Sequence, residues 1–179
     1  KKSYWLLSLA TALLVLVGCE PPATIEPTVA INPNTVNLFI GQKDTLTALV
    51  SPEETIITLS IWETNNSKIV TIKDGVITAK SEGSALITLT TNIGTAQCIV
   101  NVQSGILSID KESIECKVFE TTQLNVTKPE HKATAKIIWK SSNKTVASVD
   151  NKGNVTALAA GEAVITASVS GCKSVECAV

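Results

Sequence analysis

Arginine is absent from the 179 residues; all fifteen basic residues are lysine. Methionine is absent too, there is one histidine, and aromatics make up only 3% of the chain. Each shortage excludes something. Arg supplies the planar fork that reads phosphates and guanine edges. A chain without it, at a formal charge of −1 and a pI near 5.9, does not read as a nucleic-acid partner. Scarce aromatics leave little to stack on sugar rings. Tyr4 and Trp5 fall in an apolar leader, so only Trp62, Trp139, Phe39 and Phe119 remain. The single His131 lies in the polar stretch "KPEHKAT" with no Ser, Cys or Asp at a matching position, and reads as surface decoration. No phosphate-cradling glycine loop, repeated carboxylate pair or metal cluster appears, so neither an enzyme nor a cofactor is expected. Asp150-Asn151-Lys152-Gly153 suggests a calcium loop, but Lys152 falls where a ligand oxygen is needed, and a tight hairpin fits better.

Only one long hydrophobic run is present, from about Tyr4 to Val17, behind Lys1 and Lys2. As a helix rising ~1.5 Å per residue it reaches roughly 20 Å, short of a hydrocarbon core of ~30 Å. A basic start, a short apolar middle and a small residue at the break describe a secretory signal peptide over residues 1–18. The absence of an initial Met reads as a trimmed start. Leu16-Val17-Gly18-Cys19 resembles the bacterial lipobox, which implies that the Cys19 thiol is acylated and becomes the anchored N-terminus. Losing Lys1 and Lys2 takes the formal charge from −1 to −3. Residues 19–27, rich in Pro, read as a stiff tether. By analogy with enteric bacteria, Glu20 after Cys19 favours the outer membrane.

Beyond the tether the chain is an internal duplication at a shift of about 77–78 residues. Trp62 falls on Trp139, Asn66 on Asn143, Gly75 on Gly153, Gly83 on Gly161 and Ile87-Thr88 on Ile165-Thr166. Ile31, Val36, Leu46 and Pro52 fall on Ile109, Ile114, Leu124 and Pro129. Within each copy the apolar period is two. Ala85, Ile87 and Leu89 share a face, as do Ala163, Ile165 and Ala167; Val36, Leu38 and Ile40 alternate, and so do Ile114, Cys116 and Val118. Asp74-Gly75 and Lys152-Gly153 suit hairpin turns with positive φ. Asn65-Asn66-Ser67 and Ser141-Ser142-Asn143 suit turns capped by their own side chains. About seven short strands in ~75 residues predict an all-β fold: two tandem antiparallel sandwiches, over 28–103 and 104–179. Trp62, Trp139, Gly75 and Gly153 are the core markers, and Gln103-Ser104-Gly105 is the joint.

The stretch "IIWKSSNKTVASVDNKGNVTALAAGEAVITASV" resembles the group 2 bacterial immunoglobulin-like domain of intimin and invasin-type adhesins. The resemblance implies the sandwich fold, a surface location, and a family used both as spacer and as adhesive module. It names no ligand.

Four cysteines remain besides Cys19. Cys98 and Cys177 match each other and point inward. Cys116 replaces Leu38 at an inward position and faces Cys177 or Cys172. A bridge there, Cys116–Cys177 in the first instance, would contribute ~2–4 kcal/mol; three small hydrophobes are the plainer alternative. The expectation is a non-enzymatic surface lipoprotein, held in the membrane through Cys19, that spaces and binds a protein or glycan at the envelope. Because Val179 falls inside the expected last strand, the alternative is the N-terminal stalk of a longer envelope enzyme or glycan-binding receptor.

Overall fold

A computed structural model describes residues 25–179. The leader, the lipobox with Cys19 and most of the tether lie outside the described residues. Nine strands build the first unit: β1 (Thr28–Asn32), β2 (Thr35–Phe39), β3 (Lys43–Thr45), β4 (Thr47–Ser51), β5 (Ser60–Thr64), β6 (Val70–Lys73), β7 (Val76–Ala79), β8 (Gly83–Thr91) and β9 (Gly94–Gln103). Ten shorter ones build the second: β10 (Gly105–Ile106), β11 (Ser108–Ile109), β12 (Thr121–Gln123), β13 (Val126–Thr127), β14 (Ile138–Ser141), β15 (Ala147–Val149), β16 (Asn154–Ala157), β17 (Val164–Ser168), β18 (Cys172–Lys173) and β19 (Val175–Ala178). A single 3₁₀ turn, Glu130–Lys132, lies between β13 and β14.

In the first unit a four-stranded sheet, β2-β9-β8-β5, lies against the pair β1-β4 and the three strands β3-β7-β6. Strands β3 and β4 are one run broken at Leu46. That residue turns its side chain into the core and its N–H to Gly75 O, at 2.8 Å. The expected alternation is seen: Ala85, Ile87 and Leu89 are buried, while Leu86, Thr88 and Thr90 between them are not. Val70, Ile77, Ile87, Leu89, Cys98 and Val100 are almost fully buried and form the centre of the core. Burying such side chains contributes roughly 1.5–3 kcal/mol each for the larger aliphatics, which offsets the ordering of the strands.

The second unit repeats the plan with β14-β17-β19 on one side and β11-β13 with β12-β16-β15 on the other. Leu124 breaks its strand as Leu46 does, and its N–H reaches Gly153 O at 2.9 Å. Leu124, Ala147, Val155, Ala163, Ile165 and Cys177 make the core. Ile87 pairs with Cys98 and Ile165 with Cys177, so the register is the same in both copies.

One edge differs. In the first unit β2 runs parallel to β9 from Thr35↔Ile99 to Phe39↔Gln103. The matching stretch of the second unit makes only the first bridge, Ser113↔Ala178, and then leaves the sheet. The alternating strand expected over Ile114, Cys116 and Val118 is therefore absent. Cys116 is half-buried and Val118 exposed, since this stretch makes no ladder beyond that one bridge.

Candidate functional site

The repeated motif residues act on the fold itself. Gly75 and Gly153 sit at φ +79° and +88°, as the hairpins β6-β7 and β15-β16 require. They also leave room for a neighbour. A Cβ on Gly153 would stand 2.6 Å from Leu124 O and 2.7 Å from Trp139 Cζ2; on Gly75 it would stand 2.7 Å from Leu46 O and 3.7 Å from Trp62 Cζ2. Both Trp rings are half-buried and pack against their cores beside a bare glycine backbone.

The polar members of the motif are just as local. Asn66 Oδ1 accepts from Lys68 N, and Asn143 Oδ1 from Thr145 N. Thr64 Oγ1 and Ser141 Oγ each accept from the N–H two residues on. Asn65 Oδ1 and Ser142 Oγ reach the next strand, at Leu86 N and Val164 N. Asp150 places Oδ1 on Lys152 N and Asn154 N and Oδ2 on Asn154 Nδ2. Those bonds, the Asn154 side chain foremost, hold its carboxyl below the ordinary carboxylate range. The oxygens that would bind calcium are spent on the turn. Asp110 is used the same way: Asn125 N and Nδ2, then Lys111, pull its pKa down to about 2.

Cys98, Cys116, Cys172 and Cys177 are free thiols. The candidate Cys116–Cys177 bridge is not made. Cys116 does not take the buried seat of Leu38; its Sγ lies 3.6 Å from Thr122 Oγ1 on the peeled segment. Burial pushes the Cys98 and Cys177 thiols up, with Asp110 and the nearby Cys116 adding to the effect at Cys177.

His131 is not surface decoration, and this corrects the expectation. The 3₁₀ turn carries it onto the first unit, where its ring stacks on Phe39 with centroids 4.1 Å apart and planes 14° from parallel. Its Nε2 is buried without a hydrogen-bond partner among the described residues. Phe39 is thereby withdrawn from any sugar platform. Around this stack the joint is tied down. Lys132 Nζ donates to Ile40 O at 3.1 Å, Ser104 Oγ to Glu82 Oε2 at 2.7 Å, and Gly105 N to Gly171 O at 2.8 Å. Strand β10 pairs in parallel with β18. Gly105 is buried, and a Cβ there would stand 2.6 Å from Cys172 Sγ and 3.3 Å from His131 Nε2. The spacing of single residues in a polar loop carries no sign of this; only the two units brought together do.

A cleft of 990 Å³ lies at the far end of the second unit, between the segment Ser113–Val118, the turn Ala159–Val164 and the end of β19. Its rim is apolar. Phe119, 80% exposed and at φ +71°, stands where the first unit has Gly41 at φ +90°. Leu158-Ala159-Ala160 stands where the first unit has Lys80-Ser81-Glu82. Sequence reasoning passed over both replacements, although the repeat alignment displays them. Among the described residues no three His, Cys, Asp or Glu side chains gather as a metal site.

Residues 27–102 and 106–179 each match the bacterial Ig-like domain (group 2). The chain is similar to an uncharacterized protein of Clostridium acetobutylicum, 30% identical over 154 residues, covering 82% of this chain and 16% of that protein. Among solved structures it is similar to domains 5–6 of the S-layer protein SbsC (19% identity, 84% of this chain, 96% of that chain, TM-score 0.36). It is likewise similar to a C-terminal fragment of intimin (16% identity, 85% and 62%, TM-score 0.35). The chain spans less than a fifth of the length of its Clostridium relative. Two matched copies, with the motif residues of both engaged in the same bonds, place this chain in the group 2 bacterial Ig-like domain family.

Proposed function

We propose that the chain is a non-enzymatic module of the bacterial cell surface, anchored through acyl chains on Cys19, that spaces and presents binding surfaces to a protein or glycan partner. The observation that carries this reading is the tied joint. Stacked rings, a lysine on a carbonyl and a parallel two-residue ladder hold one sandwich on the next, which suits a rod better than two free beads. Membership of a family used for spacing and adhesion supports it, as does the spending of the motif's polar groups on turns rather than on a reacting centre. Acyl anchoring would place both sandwiches outside the bilayer.

Metabolic labelling with palmitate tests the anchor: label on the wild type and none on Cys19→Ser is expected, and an unlabelled wild type would refute it. Protease treatment of intact cells tests exposure. Cleavage before lysis is expected, and full protection until lysis would place the module inside the envelope. The second reading, a stalk of a longer envelope enzyme or glycan-binding receptor, is favoured by the chain's small share of its relative's length. A polypeptide on immunoblot far larger than 179 residues would select it.

A further inference from the structure

His131 Nε2 is the one buried side-chain nitrogen or oxygen without a hydrogen-bond partner among the described residues. A ring nitrogen kept from water and left unpaired costs free energy, so what it faces matters. It faces Gly105. A Cβ on that residue would stand 3.3 Å from His131 Nε2 and 2.6 Å from Cys172 Sγ, with Pro129 Cγ at 3.2 Å. Both donors border the same small space, which exists because residue 105 has no side chain. The backbone does not ask for glycine there: unlike Gly41, Gly75, Gly153 and Gly171, Gly105 is not at positive φ. The space does.

Different elements hold the two donors. The 3₁₀ turn carries His131, and stacking on Phe39 fixes the plane of its ring. Strand β18 carries Cys172, and pairing with Gly105 fixes its backbone. Neither donor belongs to the repeated motif. Pro129-Glu130-His131 stands where the first unit has Pro52-Glu53-Glu54, and the matching turn of the first unit, between Thr91 and Ala96, has no cysteine. The pair is an addition of the second copy, at the end that meets the other sandwich.

An imidazole nitrogen and a thiolate sulfur are a borderline and a soft metal ligand. Their surroundings narrow the choice of ion. Calcium and magnesium require oxygen donors, and zinc takes four ligands, whereas the neighbours here are Pro129 and a glycine backbone. Cuprous copper is content with two such donors. Charge favours it as well. Lys132 Nζ stands 3.2 Å from where a Cβ on Gly171 would be, and Lys173, next to Cys172, reaches Glu82 at 3.7 Å. A monovalent ion on one thiolate adds no net charge beside these ammonium groups; a divalent ion would add one.

We propose that Cys172 Sγ and His131 Nε2 form a two-coordinate site for a cuprous ion at the joint between the sandwiches. On binding, the thiol gives its proton to water and the sulfur bonds the ion as thiolate. Nε2 offers its lone pair while Nδ1 keeps the ring proton, and the copper stays cuprous. The ion ties the turn that lies on the first unit to β18 of the second, and so stiffens the joint. This goes beyond the surface-module reading and holds whether or not Cys19 is acylated.

The test uses the full chain, its thiols reduced, under argon, with cuprous ion supplied as its complex with the chelator bicinchoninate. The wild type is expected to take one equivalent from the chelator. Cys172→Ser and His131→Gln should each weaken that uptake at least tenfold, and Cys116→Ser should leave it unchanged. A loosened joint alone would not reproduce two further readings. At one equivalent the nitrogen-15 resonance of His131 Nε2 moves in the wild type and stays in place in Cys172→Ser, and X-ray absorption finds one sulfur and one nitrogen on the copper. No uptake by the wild type, undiminished uptake in Cys172→Ser or His131→Gln, an unmoved Nε2 resonance or a copper held by two sulfurs would overturn the proposal.

Discussion

The first unit pairs its second strand with β9 over five residues, and the matching stretch of the second unit makes a single bridge to β19. Both carry the same Leu–Gly–Trp contact, the same capped turns and the same register between their central strands. The first adds β2 along the whole end of β9; the second keeps a single bridge and turns its chain outward. The contact that defines the fold is therefore separate from the edge that closes it.

The contact should be the most expensive feature to disturb, and unequally so in the two copies. Gly153→Ala would push a methyl into Leu124 O and Trp139 at a left-handed φ, so a loss of about 2–4 kcal/mol is expected from strain and overpacking together. Gly75→Ala meets the carbonyl but leaves the ring at van der Waals distance, so it should cost less. Urea midpoints of the two variants measure the difference, and equal losses would contradict the closer packing of Trp139.

Next comes the exchanged seat at the end of the sandwich. Phe119→Gly should stabilise the second unit by about 1 kcal/mol by relieving the left-handed strain, and Gly41→Phe should destabilise the first by at least that much. A destabilised Phe119→Gly would show that the ring is packed rather than presented. Removing the turn caps, Asn66→Ala or Asn143→Ala, should cost about 1 kcal/mol in either copy, the worth of a lost side-chain cap. Thermal melts that differ widely between the two would mean that the turns are not equivalent.

Acid gives the smallest and most selective contrast. Asp110 falls on Asn32 of the first unit, so only the second unit carries this titrating group. Its folded pKa, about 2, lies below the ordinary 3.8 of an aspartate. The carboxylate thus favours the fold fully above the unfolded pKa, and that share is lost as pH falls toward 2. Asp150 is shifted in the same direction and adds to it. NMR amide signals of the second unit should weaken first on acid titration, and Asp110→Asn should flatten the difference.

Much of this was legible in the residues. Repetition at one spacing exposed two units, and period-two alternation marked the buried faces of β8 and β17. Asp74-Gly75 and Lys152-Gly153 were read as turns because positive φ is a property of a few local atoms. The errors concern partners far away in the chain. His131 looks polar and solitary in its loop, yet its ring lies on Phe39 of the other unit. Cys116 has the parity of Leu38, yet parity buries a side chain only where a neighbouring strand supplies a ladder, and of its stretch only Ser113 is bridged to β19.

The sequence by itself determined the sandwich, its duplication and the residues that shape each turn, because these follow from spacing along the chain and from the stereochemistry of single residues. Only the tertiary structure decided that the joint is tied through His131 and Lys132, and that Cys116 lies beside Thr122 rather than against Cys177. Both depend on which surfaces meet across many residues of separation, and hydrophobic alternation is the same whether or not a neighbour is there to cover it.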